Sequence, residues 1–181
     1  MRARLAAMVT LCAMLVAATP APGQGTTANG AFFDLFLKGC LPAALTETSI
    51  KPYAQAAKLS PAPPLMVARF GAMMKDPIGF MTAGAVPVFI LQGPATWCMV
   101  NSLRPADPDA VFGRIEAGLN SDGKSFRRAP GPEEHKSQGN ASLSRSYFGH
   151  VAGKAYVVTV MIVEDARRQP QAVASIRGPP R

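Results

Sequence analysis

The spacing of apolar residues divides the chain into a helical first half and a strand-rich second half. From Gly30 to Leu41, the sequence GAFFDLFLKGCL puts Phe32, Phe33, Phe36 and Leu37 on one side of a helix. Asp34 and Lys38 lie one turn apart on the other side. Asn29 or Thr27 can cap its start, and Gly39 followed by Pro42 predicts its end. A weaker helical pattern covers Thr46 to Leu59, where Ile50, Tyr53, Ala54 and Ala57 share a face and Pro52 fits the first turn. Ser60 to Pro64 reads as a linker or turn. Pro64 then opens a third helix to Lys75, which Asp76-Pro77 ends because a residue before proline avoids the α region. The glycine-broken stretch from Gly79 to Ala85 reads as a connector.

From Val86 the period falls to two. VPVFILQ and ATWCMVNS predict a hairpin turning at Gly93-Pro94, with Trp97 and Met99 on one side and Cys98 and Val100 on the other. Pro87 belongs at an edge or at the start of its strand. Asp107-Pro108 opens a helix to about Asn120 whose apolar stripe is Val111, Phe112, Ile115 and Leu119. A short strand follows at Ser125–Ala129, and the polar run from Gly131 to Asn140 reads as an exposed loop. Ser142–His150 and Lys154–Glu164 predict a second hairpin around Ala152-Gly153, and Gln171–Ile176 supplies a last strand. The nearly all-apolar segment Ala155–Val163 is the expected centre of the sheet. The predicted fold class is α+β, with N-terminal helices packed on a C-terminal, mainly antiparallel sheet of about 5–6 strands and one disulfide. The last three strands leave no room for the crossovers that a parallel sheet needs.

The first residues follow a different logic. Arg2 and Arg4 precede the uncharged apolar run Leu5–Ala18, and small residues with Pro20 and Pro22 come after it. That order is the pattern of a cleavable secretory signal, expected here over residues 1–23. The run is short for a membrane-spanning helix, which needs about 20 apolar residues. A single domain from residue 24 to 181 is expected to remain, with no transmembrane span, in the periplasm or outside the cell.

Export gives the cysteines their meaning. Cys12 leaves with the leader, and Cys40 and Cys98 remain as an even pair in an oxidising compartment, where a disulfide is expected. The alternative is a cysteine hydrolase using Cys98 with His135 or His150. A mid-strand cysteine, however, lacks the helix N-terminus that lowers a thiol pKa. No catalytic residue is assigned. The two histidines have no H-x-x-x-H spacing and the cysteines no C-x-x-C spacing, so neither a metal nor another cofactor is expected.

The formal charge of +8 falls to +6 once Arg2 and Arg4 are removed. Such a surplus favours acidic surfaces such as anionic lipid or polysaccharide. Arg104, Arg114, Lys124, Arg127 and Arg128 form a possible basic patch if the helix after Asp107 lies beside the strand at Ser125. No platform of aromatic and basic residues for nucleic acid occurs. The nine methionines, several of them in the stretch LMVARFGAMMKDPIGFM, are expected to pack the core, with soft-metal binding or an adaptable apolar groove as the alternatives.

The motif F-x-x-x-C at Phe36–Cys40, followed by C-x-V at Cys98–Val100 in a strand, resembles a loose group of small exported proteobacterial proteins of unknown function. The resemblance implies a signal peptide and a helix-to-strand cysteine pair, and it carries no activity. The expected function is that of a non-enzymatic envelope or secreted domain, monomeric or a small homo-oligomer, acting through its surface on another envelope component or secreted protein. The alternatives are the Cys98 hydrolase and an inhibitor of a secreted enzyme that presents the loop Gly131–Asn140.

Overall fold

Helix formation starts where the aromatic stripe starts. The computed structural model describes residues 28–94, 96–104, 106–130, 134–137, 140–163 and 170–179, so the proposed leader lies outside it. Helix α1 (Ala28–Asp34), a π-helical turn (Leu35–Cys40) and helix α2 (Leu41–Thr46) form one unbroken run. The stop expected at Gly39 and Pro42 is absent. The Leu41 N–H donates to the Phe36 carbonyl, the longer reach of a π turn. That wider turn absorbs the Pro42 ring, which would collide with the preceding turn of a regular helix. Gly39 serves contact instead: a Cβ there would lie 2.7 Å from Tyr53 Cε1 and 3.0 Å from Ile90 Cδ1. The run ends at Glu47, whose left-handed backbone (φ 55°) closes the last turn.

Two further helices are shorter than their patterns predict. Helix α3 spans Lys51–Ala56, with Pro52 in its first turn, and α4 spans Pro64–Phe70 before Gly71. Helix α5 (Pro108–Leu119) matches its stripe, because Val111, Phe112, Ile115 and Leu119 are all buried. The Asp107 carboxylate accepts from the Asp109 N–H at 3.1 Å and caps it.

The sheet is larger than the 5–6 strands expected. Among the described residues, nine strands form one antiparallel sheet: β1 (Ser60–Pro61), β2 (Ile78–Met81), β3 (Val88–Gln92), β4 (Trp97–Ser102), β5 (Phe126–Arg128), β6 (Glu134–Ser137), β7 (Asn140–Val151), β8 (Lys154–Val163) and β9 (Ala172–Arg177). Eight follow the order β1-β2-β3-β4-β9-β8-β7-β5, and β6 pairs with the first part of β7. The added strands come from segments assigned to turn, connector and loop. Ser60–Pro61 and Ile78–Met81 extend the β3–β4 hairpin, and the polar Glu134–Ser137 pairs with β7. The sheet therefore begins among the helices and is not confined to the C-terminal half. Its middle is the β4–β9 pair, where Cys98 faces Ile176 and Val100 faces Ala174. Strand β8 is interior but one place off centre.

The two sheet faces differ. One is covered by α1, the π turn, α2 and α5, which bury Phe32, Phe36, Ile115 and Leu119 against Val100, Val158, Val160 and Ile176. Cys40 and Cys98 join this layer through a disulfide with Cα atoms 5.3 Å apart, and both are fully buried. Gln92 adds a second tie: its Oε1 accepts from the Ile50 N–H at 2.8 Å and its Nε2 donates to the Thr48 carbonyl at 2.7 Å. The opposite face holds a smaller cluster of Met74, Leu91 and Met99, with Val67, Phe70, Trp97 and Val173 packed on it. Farther along, Val157, Thr159, Met161 and Val163 of β8 alternate with its buried residues and stay half-exposed.

The disulfide closes a loop 58 residues long in sequence. A loop of that length stabilises the folded chain by about 4 kcal/mol in the chain-entropy treatment. Urea unfolding of the C40A/C98A double variant is predicted to show a midpoint well below that of the oxidised protein. An unchanged midpoint would refute the staple's role.

Candidate functional site

Three prolines shape the first edge of the sheet. Pro61 sits in edge strand β1 and has no N–H to offer a further strand. The Ala62 N–H donates to the Gly79 carbonyl at 2.9 Å and holds the chain against β2. Pro63 is extended (φ −55°, ψ 139°), and Pro64 opens α4 in the position where a missing N–H costs nothing. The chain thereby turns α4 onto the sheet face opposite the disulfide. There Val67 and Phe70 pack on the cluster of Met74, Leu91 and Met99, yet no residue of α4 is buried. Gly79 sets how close the helix comes, because a Cβ there would lie 2.6 Å from Leu91 Cδ2 and 2.8 Å from Val67 Cγ2.

Between α4 and the β1–β2 edge an open cleft of about 570 Å³ remains. Pro61, Pro64, Val67, Ala68, Ile78 and Phe80 form most of its walls, and Lys51 of α3 is its one charged lining residue. Such a cleft receives an apolar group and places a single cation beside it. Of these walls, Val67, Ala68, Ile78 and Phe80 fall in the methionine-rich stretch Leu65–Met81, for which core packing was expected and an apolar groove was an alternative. The signal was compositional: between Glu47 and Asp76 the chain carries Lys51, Lys58, Arg69 and Lys75 and no acidic residue.

The residues that the sequence did single out go elsewhere. Cys40 and Cys98 are joined, so Cys98 has no thiol to ionise, and it faces the helical layer. His150 is exposed at the end of β7, where it pairs with Ala155 on the opposite face. It lines a second cavity of about 420 Å³ with Ser125, Arg127, Phe148 and Gly149. His135 lies in β6 in register with Ser142, in a strand and not the expected loop tip.

The five basic residues occupy both sides of the molecule. Arg104 is exposed in the turn after β4, and the exposed Arg114 stacks its guanidinium 4.6 Å over the Phe33 ring. Lys124 pairs with Asp122 at 3.2 Å, and with Ser121 it holds that exposed carboxyl below the usual range. Arg127 and Arg128 are successive strand residues, so they point to opposite faces of β5. Of the remaining expected loop, residues 131–133 and 138–139 lie outside the described residues. Among the described residues, no group of three His, Cys, Asp or Glu side chains could hold a metal.

Two phenols, Tyr147 fully buried and Tyr53 partly so, illustrate how polar groups fare beside the helices. Tyr53 donates to the Asp34 carbonyl at 3.0 Å. Tyr147 is fully buried and its hydroxyl has no well-formed hydrogen bond, although Arg145 acts on it electrostatically from the same strand. Burial pushes both phenols above the ordinary tyrosine range. The charge of Asp34 adds to this for Tyr53 and that of Glu116 for Tyr147, where Arg145 and Arg128 act in the opposite sense.

No protein-family model, curated protein or solved structure matches this chain.

A phenol pKa raised on folding means that the folded state keeps its proton while the unfolded state loses it. Stability is therefore predicted to fall as pH rises above about 10, the unfolded tyrosine value, in a titration of the unfolding midpoint. At neutral pH, Y147F is predicted to be neutral or stabilising, because it removes an unsatisfied buried hydroxyl. Y53F is predicted to cost about 1 kcal/mol for its lost hydrogen bond. The reverse ranking would refute this assignment.

Proposed function

We propose that this chain is an exported domain that acts by binding, and that its working surface is the cleft between α4 and the β1–β2 edge. The cleft takes the apolar part of an envelope component, with Lys51 beside it for an acidic group. The observation that carries this reading is the form of the cleft: open, about 570 Å³, apolar on nearly all sides and charged at one point. The leader pattern of residues 1–23 and a buried disulfide both suit an oxidising compartment outside the cytoplasm. With Cys98 held in that disulfide and His150 on the other face, binding accounts for the site better than cysteine hydrolysis.

Recovered from an exporting host, the protein should have a mass lacking residues 1–23. Trp97, the chain's one tryptophan, does not line the cleft but packs on the Met74, Leu91 and Met99 cluster that the cleft wall Val67 also joins. Titration with laurate is predicted to give a saturable change in Trp97 fluorescence. Ala68 is an exposed wall of the cleft, so A68F fills it from outside without disturbing the core. That variant should bind laurate more weakly by roughly tenfold or more and unfold at an unchanged temperature. Equal affinity in the folded variant would remove the cleft from the account.

A further inference from the structure

The segment around the cleft has two properties that apolar walls alone do not explain. Among the described residues the large hydrophobic side chains left most exposed are Leu65 (78 %) and Met73 (77 %). Leu65 lies on α4 beside the cleft wall Pro64, and Met73 lies in the turn after that helix. On α4 itself Leu65, Ala68 and Arg69 are exposed at i, i+3 and i+4, and Ala72 and Met73 are exposed in the turn that follows the helix. The same segment carries the exposed cations Lys51, Lys58, Arg69 and Lys75, with no carboxylate from Thr48 to Lys75 and the exposed Asp76 directly after it.

Apolar side chains that face water, in a segment whose charges are nearly all positive, match an interface of opposite charge over an apolar interior. We propose that the α3–β1–α4 face docks on an anionic lipid bilayer, with Leu65 and Met73 entering the acyl region and the four cations meeting the headgroups. Charge complementarity selects this occupant. A second copy of the chain would bring the same four cations into contact with themselves, and a neutral apolar partner would leave them without counter-charge. No helix among the described residues is long and apolar enough to cross a membrane, so the mode is surface attachment. This inference rests on the cleft reading for its location and deepens it: the cleft would open toward the bilayer, from which an acyl chain could enter it.

The test is co-sedimentation of the full exported chain with vesicles of phosphatidylcholine alone and with equimolar phosphatidylglycerol. Preferential binding to the anionic vesicles, weakened by salt, is the expected result. L65S/M73S should reduce partition by roughly tenfold for each anchor fully inserted. K51E/R69E should reduce it by more than the roughly fivefold expected for each cation neutralised. All four positions are exposed, so both variants should fold, as their unfolding temperatures will show. Equal binding to neutral and anionic vesicles, or undiminished binding by the folded L65S/M73S variant, would overturn the inference. A dimer dissociated by L65S/M73S and indifferent to vesicles would assign the face to a second copy and also overturn it. Laurate binding without vesicle binding would overturn bilayer docking while leaving the cleft reading in place, and loss of both would remove the two together.

Discussion

The bond between Cys40 and Cys98 joins the helical layer to the sheet. Cys40 ends the π turn in the middle of a continuous helical run, and Cys98 stands in β4, a middle strand of the sheet. A helix of mixed α and π geometry has a weak intrinsic claim to persist. Its stability comes from the aromatic face that it buries, and the disulfide fixes where that face lands. Gly39 and Gln92 serve the same end. The glycine lets the run approach Tyr53 and Ile90, and the glutamine ties the chain before α3 to β3. The last strand, β9, then enters between β4 and β8, so the staple reaches the part of the sheet that joins the early strands to the late ones.

This arrangement spends almost all the large apolar side chains on one sheet face. The other face is left with a three-residue core cluster and with α4, a helix that packs through Val67 and Phe70 while burying none of its residues completely. A helix held so lightly leaves space at its flank, which is the cleft, and keeps apolar side chains in water, which are Leu65 and Met73. The scaffold is rigid where the disulfide acts. It is open where the proposed binding surface lies.

Local chemistry made part of this visible in the sequence. Alternation in β4 separated Cys98 and Val100 from Trp97 and Met99, and the two pairs do enter different clusters. The stripe and aspartate cap of α5 needed only residues close in sequence, and the pairing of Cys40 with Cys98 followed from counting the cysteines left after the expected leader. Features that depended on distant partners were hidden. Ile78–Met81 is a strand because β3 lies alongside it, and Glu134–Ser137, polar throughout, is a strand because β7 does. Gly39 and Gly79 read as breaks, whereas their role is contact with side chains that the sequence places far away. The cleft draws its walls from α3, β1, α4 and β2, so no single motif could announce it. The basic residues were visible as a group. Strand alternation then sent Arg127 and Arg128 to different faces.

The central claim is that a stapled scaffold carries a lightly held binding helix, and residue-resolved native-state hydrogen exchange tests it most directly. The account predicts that amides of β4, β8 and β9 exchange only through global unfolding, while those of α4 exchange through local openings of much lower free energy. Amides of α4 protected as strongly as those of β4 and β9 would contradict it, because α4 would then be part of the rigid core and not a surface poised to bind.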